Sequence, residues 1–254
     1  MTIVPMAVAT VLVTAATAVW LLRHLAGGDP RCSWLLCCGL GSSALVNLLV
    51  KRPLAEAVAS AGGTAAEVGA ASPVWFLAFA LLLPPVTEET VKALPALLPR
   101  VRDLARRDRL LTGLALGTGF GIGEAAFVAW TAVRGGDHAG TAWWAFSGFA
   151  VERLFASLGH GVMTAVVLWG FGGPRRRRVL GFAAAVGLHT LLNLGAFIDQ
   201  VAKVPPRVLA LWFPAGLLLL GAVFEALRCR AAPVRGTAGH DGRWVSLFRT
   251  DDRP

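Results

Sequence analysis

Residues 84–92 read Pro84-Pro85-Val86-Thr87-Glu88-Glu89-Thr90-Val91-Lys92 and lie inside an apolar run, 74 to 98, that is long enough to cross a bilayer. Charge at the bilayer centre is unfavourable by roughly 2.5 to 3.5 kcal/mol per residue on insertion scales. Two glutamates and a lysine there need a reason. Pro84 and Pro85 remove two backbone donors, so this span is expected to kink or break just before the glutamates, as helices bordering cavities do.

The chain around this run is equally apolar. Of 254 residues, 56% are hydrophobic and 15% charged, and the mean hydropathy is +0.63, values that exclude an ordinary soluble domain. Runs of about 20 apolar residues fall near 3 to 22, 33 to 50, 74 to 98, 110 to 133, 147 to 171, 179 to 198 and 207 to 227. The expected fold is all-α, a polytopic membrane bundle of about seven transmembrane helices. It occupies residues 1 to 228 as one domain, followed by a basic, flexible cytoplasmic tail, 229 to 254. Cys32, Cys37, Cys38 and Cys229 lack C-x-x-C spacing, so they read as packing thiols, neither a disulfide framework nor a zinc ribbon.

The net charge of +9 sits in short gaps between spans, which is the pattern of membrane topology and not of nucleic-acid binding. The gaps near 23 to 32, 99 to 109 and 172 to 178, together with the C-terminal tail, carry 17 Lys and Arg. The gaps on the other side, near 51 to 73, 134 to 146 and 199 to 207, carry 5. The basic-rich side belongs in the cytoplasm, so the N-terminus is expected outside and the C-terminus inside. Arg175 to Arg178 read as a topology signal, and Trp143 and Trp144 as membrane-edge anchors.

Four successive spans carry polar residues at a common depth. Counted at 1.5 Å per residue from the cytoplasmic ends, Glu88, His160 and His189 lie roughly 15 to 17 Å in, and Glu124 and Asn193 roughly 21 Å. Such alignment suits a water-filled active or transport site. Glu88 and Lys92 are i,i+4 neighbours, as are His189 and Asn193. An ion pair of Glu88 with Lys92 would let Glu89, about 100° around the helix, differ from Glu88 in protonation, as acid and base roles require. Glu152 and Arg153 lie nearer the outer end and read as interfacial or structural, with Arg153 also a candidate partner for a substrate carboxylate. Gly113, Gly117 and Gly121, and likewise Gly119 and Gly123, recur at helical steps that admit a close neighbouring helix.

Carboxylate, imidazole and amide at one depth suit hydrolysis without a covalent nucleophile. No histidine is followed by Glu, which excludes an H-E-x-x-H site. A two-aspartate site fails because Asp199 is the only Asp near a span, and Gly41-Ser42-Ser43-Ala44 matches a Gly-x-Ser-Gly turn poorly.

In order along the chain, Glu88-Glu89-x-x-Lys92, Phe120-x-x-x-Glu124, His160 and His189-x-x-x-Asn193 resemble the PrsW family of intramembrane proteases, part of the CAAX-protease and bacteriocin-processing superfamily. The resemblance covers about residues 80 to 198. It implies an intramembrane protease of the bacterial cytoplasmic membrane, acting on membrane proteins or peptides. Glu88 would activate water, Glu89 would support it, and His189 and Asn193 would supply oxyanion and water contacts. Lys92 replaces the arginine of the CAAX-protease branch, and Glu124 stands where that branch has histidine. The expected catalytic set is Glu88, Glu89, Glu124, His160, His189 and Asn193, supported by Lys92. Glu88, His160 and His189 are the candidate ligands of a zinc ion, although carboxylate catalysis without metal fits the same residues. A proton- or ion-coupled transporter and an inactive membrane scaffold are the alternatives that a mid-membrane polar cluster also permits.

Overall fold

The structure, a computed structural model, describes residues 4–26, 30–65, 68–135 and 147–231. All regular elements among the described residues are helices. In chain order they are α1 (Val4–Ala26), α2 (Pro30–Val46), a π-helical segment (Asn47–Lys51), α3 (Arg52–Ala61), α4 (Val74–Ala93), a 3-10 segment (Leu94–Leu97), α5 (Pro99–Arg102), α6 (Arg106–Gly135), α7 (Ser147–Phe171), α8 (Arg175–Ala202) and α9 (Pro206–Ala231). Seven stretches are long and apolar enough to cross a membrane, beginning at Val4, Arg31, Val74, Arg107, Gly148, Arg175 and Arg207. Large apolar side chains face outward, with Val74, Leu218 and Leu211 exposed at 81%, 76% and 74%. Water would penalise that surface, whereas hydrocarbon is its proper solvent. The protein is a multi-pass membrane bundle. Trp143, Trp144 and the tail beyond Ala231 lie outside the described residues.

Two boundaries differ from the sequence expectation. The second span does not stop at residue 50 but continues through the π-helical segment and α3 to Ala61. Lys51-Arg52-Pro53 looks like a loop because it ends the apolar run. Pro53 nevertheless falls at the second residue of α3, directly after the π-helical segment, and the Lys51 ammonium is matched by carboxylates. Likewise Arg175 to Arg178 form the first turn of α8 and not a gap, with the Arg177 guanidinium 5.2 Å from the Trp169 ring.

The expected break at Pro84 and Pro85 does not occur, since α4 runs from Val74 to Ala93 with both prolines inside it. The Thr87 hydroxyl donates back along the helix to Leu83 O at 2.7 Å and to Pro84 O at 3.2 Å.

α6 is the axis of the bundle, packed along α7 on one side and α2 on the other. Its glycines divide between those neighbours. A Cβ added at Gly117 would lie 2.2 Å from His160 O and one at Gly121 2.3 Å from Ser157 Cα, both on α7. On the α2 side, a Cβ at Gly119 would lie 2.0 Å from Leu36 O, and one at Gly123 2.6 Å from Leu40 O. Backbone-to-backbone approach this close is open only to glycine. It draws α7 and α2 inward and fixes the height at which α7 presents His160.

Candidate active site

The three-residue step between Glu89 and Lys92 and the one-residue step from Glu88 place all three side chains on the inner side of α4, where they are fully buried. Lys92 Nζ donates to Glu89 Oε1 at 2.6 Å. The pairing is therefore i,i+3, and the expected Glu88–Lys92 pair is not formed. Glu88 is matched by Lys51, whose Nζ donates to Glu88 Oε1 at 2.6 Å and lies 3.9 Å from Glu124 Oε1. Sequence reasoning missed Lys51 by counting it as a loop residue.

α7 and α8 close the cluster with their histidines, whose rings meet edge to face with centroids 5.0 Å apart. Each ring is oriented by a carboxylate. His189 Nδ1 is 2.9 Å from Glu89 Oε1, and His160 Nε2 is 3.0 Å from Glu124 Oε2. A carboxylate only accepts, so those nitrogens carry the protons and the lone pairs fall on His189 Nε2 and His160 Nδ1. His160 Nδ1 accepts from Lys92 Nζ at 2.9 Å. The Phe120 ring lies 4.7 Å from the same ammonium, which gives the aromatic residue of the Phe120-x-x-x-Glu124 motif a cation–π role.

Two carboxylate oxygens of the cluster are left over, Glu88 Oε2 and Glu89 Oε2. Glu88 Oε2 is buried and has no protein hydrogen-bond partner. It faces the two lone pairs, 3.8 Å from His189 Nε2 and 3.9 Å from His160 Nδ1. Glu88, His160 and His189 each offer a donor atom, all within 4.8 Å of one another. Zinc bonds of 2.0 to 2.2 Å at tetrahedral angles separate ligand atoms by about 3.4 Å, so a small contraction would close this set around a divalent cation. The orphaned Glu88 oxygen and the two carboxylate-oriented histidines fit such an ion, the latter being the usual outer shell of a metal-bound imidazole. An ion held through His160 Nδ1 would take the place of the Lys92 ammonium at that nitrogen, leaving Lys92 its bond to Glu89.

Asn193, one turn beyond His189 on α8, does not hydrogen-bond to the cluster. It lines an adjoining cavity of about 120 Å³ together with Glu124, Glu152, Arg153, His160 and His189. That volume admits several waters. Glu88 and Glu89 lie outside its lining, behind the histidines. Glu152 and Arg153 thus reach the site that their sequence depth assigns to the interface, and the Arg153 guanidinium donates to the Glu152 carboxylate. The signal for this was present in the sequence, because Arg153 precedes His160 by two helical turns.

A polytopic helical membrane protein with a buried Glu/His/His centre able to coordinate a divalent metal has the parts an intramembrane hydrolase requires. A family model described as "PrsW family intramembrane metalloprotease" matches residues 29–222, and the chain belongs to that family. No curated protein and no solved structure matches it. Family and buried cluster together make the protein a protease that acts in the membrane.

Proposed function

We propose that the protein is an endopeptidase that hydrolyses peptide bonds of membrane-associated proteins or peptides, with Glu88 as the residue that activates water. The observation that carries this reading is the partnerless Oε2 of a fully buried Glu88, aimed at two histidine lone pairs. A water between Oε2 and the histidines gives its proton to Oε2 as its oxygen attacks the scissile carbonyl. Glu89 orients His189, Glu124 orients His160, and Lys92 offsets the charge of Glu89. Asn193, in the cavity lining, donates its amide to the oxyanion as the tetrahedral centre forms.

Glu88, His160 and His189 would hold the metal of the family, zinc by the nature of the donor set; with Glu88 Oε2 then a ligand, the metal would lower the pKa of water and polarise the carbonyl in place of direct proton transfer to that oxygen. The substrate reaches the site through the cavity beside Asn193, since the glutamates of α4 are closed off by protein. Residues 1–228 form the protease unit and 229–254 its basic tail. The excess of basic residues on one side supports an external N-terminus and a cytoplasmic C-terminus. The preponderance of Arg over Lys, 21 to 3, fits a high-GC bacterial gene, whose multi-pass product would reside in the cytoplasmic membrane.

The test is cleavage of single-span membrane substrates by the purified protein in proteoliposomes. Glu88→Gln and His189→Ala are expected to abolish turnover while the protein remains folded. Undiminished cleavage by either variant would overturn the assignment.

A further inference from the structure

Lys51 lies outside every motif that marks the site, yet it makes the shortest contact to the central carboxylate. It reaches Glu88 because of the local helix geometry. Along α2, Gly39, Ser43 and Asn47 face inward at i,i+4 steps, and in a regular α-helix each such step drifts by about 40°. A third such step would carry residue 51 toward lipid. The π-helical segment Asn47–Lys51 widens the turn and reverses part of that drift. Asn47 anchors the segment by donating through Nδ2 to Ser43 O at 2.9 Å. Gly39 and Gly123 let α2 press against α6, so that Lys51 lies beside Glu124 as well.

The consequence for Glu88 is geometric. Lys51 binds Oε1 and leaves Oε2 as the Glu88 oxygen that faces His160 and His189. Lys92 cannot replace it, because that ammonium is already engaged by Glu89 and His160. We propose that Lys51 is a positioning residue for the reaction, holding Glu88 in the one orientation that presents Oε2 to the histidine nitrogens. The proposal rests on the reading of Glu88 as the water-activating residue.

The experiment compares full-length wild type, Lys51→Met, Lys51→Arg and the neighbouring control Arg52→Ala in proteoliposomes. Turnover of a single-span substrate and zinc affinity, by competition with a chromophoric chelator, are measured for each. Lys51→Met is expected to lower kcat by about 100-fold, the usual consequence of an ångström-scale misplacement, with KM changed less than about threefold. Its zinc affinity should fall about 10- to 100-fold, as when an outer-shell partner of a metal ligand is lost. Lys51→Arg should restore most of both, and Arg52→Ala should match wild type. A merely structural lysine would leave the zinc affinity of the folded protein unchanged. Should Lys51→Met fail to fold, Lys51→Ala, which has no donor to Oε1 and leaves room for water around the carboxylate, carries the same comparison. Wild-type kcat and zinc affinity in folded Lys51→Met, or in folded Lys51→Ala, would overturn the proposal while cleavage stands. Absence of cleavage by the wild type, with zinc affinity still dependent on Lys51, would instead overturn the peptidase reading and support the positioning of Glu88.

Discussion

At the scale of single residues, the site is a set of charges that balance only in combination. Glu89 with Lys92 is a buried pair, Glu88 with Lys51 a part-buried one, and Glu124 holds His160 from the cavity side. Removing one member of a buried pair leaves an uncompensated charge and destabilises by about 3 to 5 kcal/mol. Glu89→Gln should therefore lower stability by that order, read as a fall in thermal midpoint in detergent, and should also free the His189 ring. Glu124 borders the cavity and is partly exposed, so Glu124→Gln is expected to leave the fold intact. Its effect belongs to His160, whose proton partner changes from a carboxylate to an amide. Zinc affinity should weaken about 10- to 100-fold, and an unaltered affinity would separate Glu124 from the metal-binding role of His160. The i,i+4 rule that pairs Glu88 with Lys92 in the sequence is a rule for exposed helix surfaces. In a buried cluster the partners on other helices decide, and those are not visible along one helix.

At the scale of elements, the glycines of α6 set the depth of the chemistry. The alignment of Glu88, Glu124, His160 and His189 was legible in the sequence, because a helix converts residue count into height and the lipid boundary supplies a common origin. Two things were not legible. The π-helical turn that swings Lys51 inward has no residue signature, and the continuity of α4 through Pro84 and Pro85 depends on backbone adjustments that the prolines alone do not reveal. The glycine spacing was readable as a packing face, but which helix lies on which side was not. A direct test is Gly121→Ala, whose Cβ would meet Ser157 Cα at 2.3 Å. Backbone cannot retreat as a side chain can, so α7 must shift, at an expected destabilisation of about 1 to 3 kcal/mol. His160 moves with it, and turnover should fall further than stability does. Gly187→Ala on α8 meets nothing within 4 Å and is the matched control, expected to stay within about 1 kcal/mol of wild type with full activity.

At the scale of the whole molecule, the polar centre joins helices that lipid-facing packing alone would hold weakly. Glu88, Glu124, His160 and His189 come from α4, α6, α7 and α8, and Lys51 from the end of the π-helical segment that follows α2, so one ligand bound among them would tie several helices together. A ligand that binds only the folded state adds stability that grows with its concentration, about 2.7 kcal/mol at a hundredfold excess over Kd. Zinc at that excess should raise the thermal midpoint of the wild-type protein in detergent, and a chelator should lower it and stop cleavage together. The comparison that isolates the site uses Glu88→Gln and His189→Ala, which remove a donor atom each. Both should lose the zinc-dependent rise, whereas Arg52→Ala, exposed and paired with Glu56, should keep it. A rise of equal size in all four proteins would place the ion elsewhere on the surface. A rise confined to wild type and Arg52→Ala, accompanied by cleavage only in those two, would make the helices' common ligand and the protease's metal the same ion.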